Sequence, residues 1–532
     1  MADLANLLES LSQPANAPLL SGILRGVEKE SLRVTANGGL AHTPHPHGLG
    51  SALTHSQITT DFSEALLEFI TSPSHQVDAV LDQLCAVQQF TYQHLGDEHL
   101  WPASMPCLLE DDESIPVAQY GSSNVGKMKT IYRLGLGKRY GRKMQTIAGI
   151  HYNFSLPTPF WAFLHNNSAS TLDLQQFRTN RYFDLIRNFR RYFWLLLYLF
   201  GASPAVCGCF IEGKKHRLQP WDKSGGTFYH PHATSLRMGD LGYQSNAQHS
   251  LVVDYNHLGH YLRTLCQAIN KPYPEYKKMG ILDAQGQPHQ LNTSLLQIEN
   301  EFYSAIRPKR TSRPGETALT ALYYRGVEYI EVRCVDLNPY EPLGIGRDQM
   351  LFLDIFLLYC CLSPSPLTYE QEYRAVQENQ ERTVYRGRDP DLQLIANGHE
   401  RSLNDWGREL MDKMAPMAEL LDKACGDQGY MAALDQYRAQ LNEPDRTLSG
   451  RILNDMRDKQ QSFFELTMDL ANSHSEFYHQ RGVSSEIQTQ FSQLAEQSLA
   501  KQAEIEAGDH QSFDDYLRDY YEQYDFCSRA QF

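Results

Sequence analysis

Several features that classify a protein quickly are missing from this chain. Its longest apolar run, Phe193 to Phe200, falls far short of the ~20 residues a bilayer span needs. Behind the basic, aromatic stretch Arg187 to Arg191 it reads as a buried helix end. The N-terminus, Met1 to Ser10, is acidic and amphipathic rather than basic then apolar, so no signal peptide is expected. The ten cysteines form no C-x-x-C pair and no regular framework, and adjacent Cys360 and Cys361 lie in an apolar run. They read as reduced thiols of a cytoplasmic protein. There is no basic surplus either. With 63 acidic against 48 basic residues the net charge is -15, which argues against nucleic-acid and membrane partners while leaving room for a local cationic or metal-loaded site. Internal repeats and low-complexity tracts are also lacking.

What is present is an ordinary globular composition, 42% hydrophobic and 21% charged over 532 residues. That length suits several domains or one large enzyme domain with appended helices. The character changes near residue 400, so the expected division is a sheet-and-helix catalytic domain over 1–400 and a helical region over 401–532 packed on it. Helices are expected over Leu4–Leu11, Val77–Leu95, Leu403–Cys425 and Leu448–Tyr478. A last one, opened by a Ser485-to-Gln488 capping box, runs to about Gly508.

The informative segments are strands with one polar face. In Arg25 to Arg33, Glu28 and Glu30 are two apart and share a face, and Asn37-Gly-Gly39 then reverses the chain. The stretch Thr59 to Ile70 carries Asp61, Glu64 and Glu68; its period is ambiguous, with a strand favoured for Ala65–Thr71 and Asp61 on the preceding loop. Gln145 to Ser155 is the cleanest strand, with Ala148, Ile150, Tyr152 and Phe154 on one face and Gln145, His151, Asn153 and Ser155 on the other. Gln297 to Tyr303 repeats the pattern with Glu299 and Glu301. Gly326 to Arg333 puts Glu331 and Arg333 on the face of Tyr329, with Glu328 opposite. Gly121 to Gly141 is glycine-rich and basic; Met128 stands where a P-loop needs Ser or Thr, and a mobile basic loop, able to serve as a lid, is expected instead.

Carboxylates gathered on one sheet surface repel unless a cation neutralises them. Hard divalent ions with oxygen ligands suit such a set, magnesium or manganese better than zinc, because His151 alone offers nitrogen. Clustered ions beside cations suit phosphoryl transfer, and Arg307, Lys309 and Arg310 could clamp a polyphosphate.

The motifs RGVEKESLRV, SALTHSQITTDFSEALLEFIT, YRLGLGKRYG, MQTIAGIHYNFSLP, YLFGASPA, ATSLRMGDLGY, LQIENEFYSAIRPKR and GVEYIEVRCVDLNP together resemble the bacterial glutamate-cysteine ligase family of the gammaproteobacterial type, in order from about residue 20 to 360. The resemblance implies an α+β fold similar to glutamine synthetase: a curved, mainly antiparallel sheet with helices packed on one face and a helical C-terminal part. It implies ATP-dependent joining of the γ-carboxylate of L-glutamate to the amine of L-cysteine through γ-glutamyl phosphate, the first step of glutathione synthesis, by a cytoplasmic monomer with Mg2+ or Mn2+. It also implies Glu28, Glu30, Asp61, Glu68, His151 and Glu331 as metal ligands and Arg237 on the glutamate carboxylate. Arg333 and Arg133 would serve the transferred phosphoryl group, and Tyr132, Leu136, Gln145, Tyr243 and Tyr303 would line the cysteine pocket. The nucleotide would fall to Arg307, Lys309 and Arg310. A chain closing at Phe532 is expected to make the dipeptide only. Competing readings are a ligase for another amine, a guanidine kinase-like phosphotransferase and a non-catalytic divalent-cation binder.

Overall fold

In the computed structural model, which describes residues 4–106, 108–242, 248, 251–426 and 429–529, twelve strands accompany many helices. They are β1 (Leu24–Val34), β2 (Ile58–Thr60), β3 (Leu66–Ile70), β4 (His99–Leu100), β5 (Ile150–Ser155), β6 (Ala205–Cys207), β7 (Gln219–Pro220), β8 (Thr227–Tyr229), β9 (Ile306–Lys309), β10 (Tyr329–Val335), β11 (Gln393–Ala396) and β12 (His399–Ser402). The main sheet runs β2-β3-β1-β5-β10-β9 with β4 added to the end of β1, and every pairing in it is antiparallel.

The expected α+β class with a mainly antiparallel sheet therefore holds, and alternation explains it. Val27, Ile150, Tyr152, Phe154, Ile330 and Val332 are fully buried on one face, where helices Val77–Tyr92, Leu174–Tyr192, Trp194–Phe200 and Arg347–Leu362 pack. Tyr152 donates from this face to Asp354 at 2.7 Å, and Arg25 pairs with the same carboxylate at 2.9 Å. The opposite face keeps its polar residues for the site. The turn after β1 forms as expected, with Gly38 at φ 78, a conformation glycine takes without steric cost. Helix Leu403–Cys425 packs on Arg347–Leu362, and Phe463–Arg481 packs on β4, so the C-terminal helices buttress the sheet from behind.

Four expectations change. The stretch Gly121–Gly141 is not a loop: residues Asn124–Tyr140 form a helix, N-capped by Ser123. Its glycines serve close packing, since a Cβ at Gly126 would lie 2.3 Å from the Tyr120 carbonyl and one at Gly135 would lie 2.3 Å from Gln297 Oε1. Residues Glu299–Glu301 form a 3-10 turn instead of a strand. The helix expected over Leu448–Tyr478 is two, Leu448–Asp458 and Phe463–Arg481, separated at Gln460, whose φ is 54. The thiols are not all reduced, because Cys266 and Cys527 form a disulfide across 261 residues. It fastens the C-terminal turn to helix Leu258–Asn270. Among the described residues no helix is long and apolar enough to cross a membrane.

Candidate active site

Strand register brings the acidic residues together. Glu28 lies opposite His151 on β5, Glu30 opposite Glu68 on β3, and Glu331 opposite Asn153 on β5. The carboxylates thus form a band across β3, β1, β5 and β10. His151 stands at its centre: Nδ1 is 3.1 Å from Glu28 Oε2 and 3.8 Å from Glu331 Oε1, and Nε2 is 3.4 Å from Glu30 Oε1. Two sets of ligand atoms, Glu28-His151-Glu331 and Glu30-Glu68-His151, each fall within 4.8 Å. A neutral imidazole has one free lone pair, so His151 can ligate an ion in one set at a time. Glu30 is held further by the Gly149 amide at 2.8 Å, and Glu28 by Asn153 Nδ2 at 2.8 Å.

The electrostatics are those of a site lacking positive charge on one side. Burial raises Glu68 well above the usual carboxylate range, and Glu28, Asp61 and Glu30 push it the same way. Burial likewise raises Glu30, against the pull of His151. On the other side, burial would raise Glu331, yet Lys309, Arg333 and His151 hold it well below its ordinary value. Glu28 also falls: burial acts upward, but the hydrogen bond and charge of His151 outweigh it. Lys309 Nζ and Arg333 Nη1 both approach Glu331 Oε1, at 3.4 and 3.2 Å. Among the described residues the buried Glu331 Oε2 has no hydrogen-bond partner, on a side chain only 1% exposed. An orphaned buried carboxylate oxygen beside further carboxylates and an imidazole is a donor set that fits a hard divalent cation.

Arg333 sits where β10 slips its register against β5, between Val332 and Val335. Such a bulge re-aims a side chain, and Arg333 reaches both His151 Nδ1, at 3.3 Å, and a cavity of about 620 Å³. Arg237 lines the same cavity from a 3-10 turn, 1% exposed. It donates to the Arg333 carbonyl at 2.9 Å and lies 3.6 Å from Asp336. Asp336 is itself fixed by Ser203 and Ser235. Tyr303 lines the cavity too, and its hydroxyl accepts from Gln145 Nε2 at 2.8 Å.

Other expected site residues are placed differently. Arg133 donates to the Asp61 carbonyl and stacks 4.6 Å from the Tyr120 ring centroid, so it braces the loop that carries Asp61. Leu136 is buried in the main apolar core. Tyr132 accepts at its carbonyl from Gln297 Nε2, 3.1 Å away. Tyr243 lies outside the described residues. The basic triplet converges only in part: Lys309 faces Glu331, and Arg307, opposite Glu331 in the β9-β10 ladder, spends its hydrogen bonds on the Asn300 and Phe302 carbonyls. Arg310 turns to the Arg325 carbonyl and to Glu328 on the far face of β10. Glu299 and Glu301 are structural anchors. Glu299 accepts from Leu319 N and Tyr524, and Glu301 from Arg139, Tyr140 and Gln297 N. Sequence reasoning missed Gly149. A Cβ there would lie 2.0 Å from Arg237 Nη2, so the guanidinium can reach this part of the sheet only over a glycine.

Comparison with known proteins places the chain. The glutamate-cysteine ligase family model matches residues 8–383. The chain is 52% identical to a glutamate-cysteine ligase of Saccharophagus degradans, covering 99% of each chain. It is 50% identical to one of Alcanivorax borkumensis, over 98% of this chain and 100% of that one. A solved structure of glutamate-cysteine ligase from Francisella tularensis in complex with AMP superposes with a TM-score of 0.89 at 36% identity, covering 95% of this chain and 98% of that chain. With the motif order, the sheet and the acidic cluster in agreement, the chain belongs to the glutamate-cysteine ligase family.

Proposed function

We propose that this chain catalyses the ATP-dependent joining of L-glutamate, through its γ-carboxylate, to the amine of L-cysteine, giving γ-glutamylcysteine, ADP and phosphate. The observation that carries the reading is that Arg333 reaches from the carboxylate and imidazole band into a cavity that Arg237 also lines, in a member of this family. A cation store has no use for those guanidiniums. A site that must handle a phosphate and a carboxylate has.

A carboxylate is a poor acyl donor, so the γ-carboxylate oxygen first takes the terminal phosphoryl group of ATP. The cysteine amine then attacks the acyl carbon, and phosphate leaves with that oxygen. Arg237, fixed by Asp336, holds the α-carboxylate of glutamate at the cavity wall. Arg333, aimed by the β10 bulge, meets the phosphoryl group between cluster and cavity, and its charge offsets the negative charge that shifts as the group transfers. Lys309 supplies a second positive charge from β9. Gln145 orients the Tyr303 hydroxyl on the side from which the amine enters. Glu28, Glu30, Glu68, His151 and Glu331, with Asp61 from its braced loop, would hold Mg2+ or Mn2+. The ions would neutralise the nucleotide's phosphate oxygens. No protein thiol is needed as a nucleophile.

The test is ADP release by the purified chain with each substrate omitted in turn. The reading requires ADP formation that depends on L-glutamate and L-cysteine together. Equal release with another amine in place of cysteine would reassign the substrate, and release independent of glutamate would refute the reaction.

A further inference from the structure

Asn153 follows His151 by two residues on β5 and shares its face, with Gly26 opposite on β1 and Glu331 opposite on β10. Its Nδ2 donates to Glu28 Oε1 at 2.8 Å. Because an ionised carboxylate only accepts, this contact fixes which end of the amide faces Glu28. The carbonyl, Oδ1, must then point elsewhere, and it is buried without a hydrogen-bond donor among the described residues. On the neighbouring strand, Glu331 Oε2 is in the same condition. The cations near Glu331, Lys309 and Arg333, contact its other oxygen, Oε1. Paired residues on adjacent strands thus each present a buried acceptor oxygen with no donor. Buried acceptors are ordinarily satisfied, so two of them here call for a shared positive or donating partner. Amide carbonyls and carboxylates are both ordinary oxygen ligands of hard divalent cations.

We infer that Asn153 Oδ1 is a further protein ligand of the divalent cation held by Glu28, His151 and Glu331. The assignment rests on the metal reading proposed above and extends it to a neutral residue. Its amide acts twice, orienting Glu28 through Nδ2 and binding the ion through Oδ1. It also sets this part of the cluster apart from the Glu30-Glu68-His151 set, whose Glu30 is held by the Gly149 backbone amide.

The test is Mn2+ binding to the full chain stripped with chelator, followed by electron paramagnetic resonance and calorimetry, for wild type, Asn153→Ala and Asn153→Asp. Asn153→Ala should weaken one class of Mn2+ site by roughly tenfold or more and leave the other unchanged. Asn153→Asp, which keeps an oxygen at the ligand position but loses the donor to Glu28, should retain that class of site. Its Mn2+-dependent rise in melting temperature should exceed that of wild type, because a third carboxylate is repelled until the ion arrives. Unchanged Mn2+ binding in Asn153→Ala overturns the assignment and leaves a bridging water as the partner of Oδ1. Asn153→Asp as weak as Asn153→Ala also overturns it, reducing Asn153 to a support for Glu28. A wild-type chain that binds no Mn2+ refutes the metal reading itself, and the assignment with it.

Discussion

Replacing Glu68 by glutamine should stabilise the metal-free chain. Glu68 stands directly opposite Glu30 in the β3-β1 ladder, and their ligand oxygens lie within 4.8 Å. Two full charges at that distance cost about 3 kcal/mol at an effective dielectric of ~20. The folded chain relieves part of this by favouring the protonated form of Glu68. Burial, then Glu28, Asp61 and Glu30, raise its pKa well above the ordinary value. Between its unfolded and its raised folded value, Glu68 holds more protons folded than unfolded. Stability therefore falls as pH rises through that window. Glutamine keeps the shape and removes the loss. Glu68→Gln should exceed wild type by about 1–3 kcal/mol near pH ~8 in excess chelator, with the gap closing toward the ordinary carboxylate pKa of ~4.3. Saturating Mg2+ should reverse the order, because the wild type alone gains the full binding free energy. Urea unfolding followed by near-ultraviolet circular dichroism measures each case. A glutamine variant less stable than wild type in chelator, by an amount that does not change with pH, would refute the repulsion argument.

Three further outcomes are expected. Divalent-ion binding should expel protons from Glu68 and Glu30, both raised by burial. Affinity should therefore climb with pH, and calorimetric enthalpies should differ between buffers of unlike ionisation heat; buffer-independent heats would contradict this. Gly149→Ala places a methyl 2.0 Å from Arg237 Nη2 and should raise the KM for glutamate by about tenfold or more while the KM for ATP stays near wild type. An unchanged glutamate KM would remove Arg237 from the glutamate site. Cys527→Ser opens a cross-link spanning 261 residues, for which chain entropy sets an upper bound of about 5.6 kcal/mol. Melting temperature should fall and limited proteolysis should begin in residues 513–529, whereas a wild-type melting profile would show that packing alone holds this segment.

The strands were legible because they alternate. Glu28 with Glu30, His151 with Asn153, and Glu331 with Arg333 each stand two apart, and the positions between them are buried, apolar on β5 and β10 and occupied by Lys29 on β1; a period of two has one physical meaning. Helix Asn124–Tyr140 was not, because what specifies it is non-local. Its glycines are required by the Tyr120 carbonyl and by Gln297, and its buried side does not form a continuous apolar stripe. The alternation of Glu299 and Glu301 imitated a strand, although each carboxylate is an anchor for residues distant in sequence, Tyr524 and Arg139 among them. Nor can spacing disclose which of ten cysteines pair across 261 residues. The basic run Arg307 to Arg310 illustrates the same limit. Three neighbouring cations read as one clamp, but the strand and the chain leaving it send Lys309 to the site and Arg310 to Glu328 on the other face.

In the proposed reaction phosphate leaves with an oxygen of glutamate. L-glutamate labelled with 18O in its γ-carboxylate, turned over with ATP and L-cysteine, tests it directly by mass spectrometry of the released phosphate. One labelled oxygen should pass to phosphate for each γ-glutamylcysteine formed. Unlabelled phosphate, with the dipeptide still produced, would contradict it.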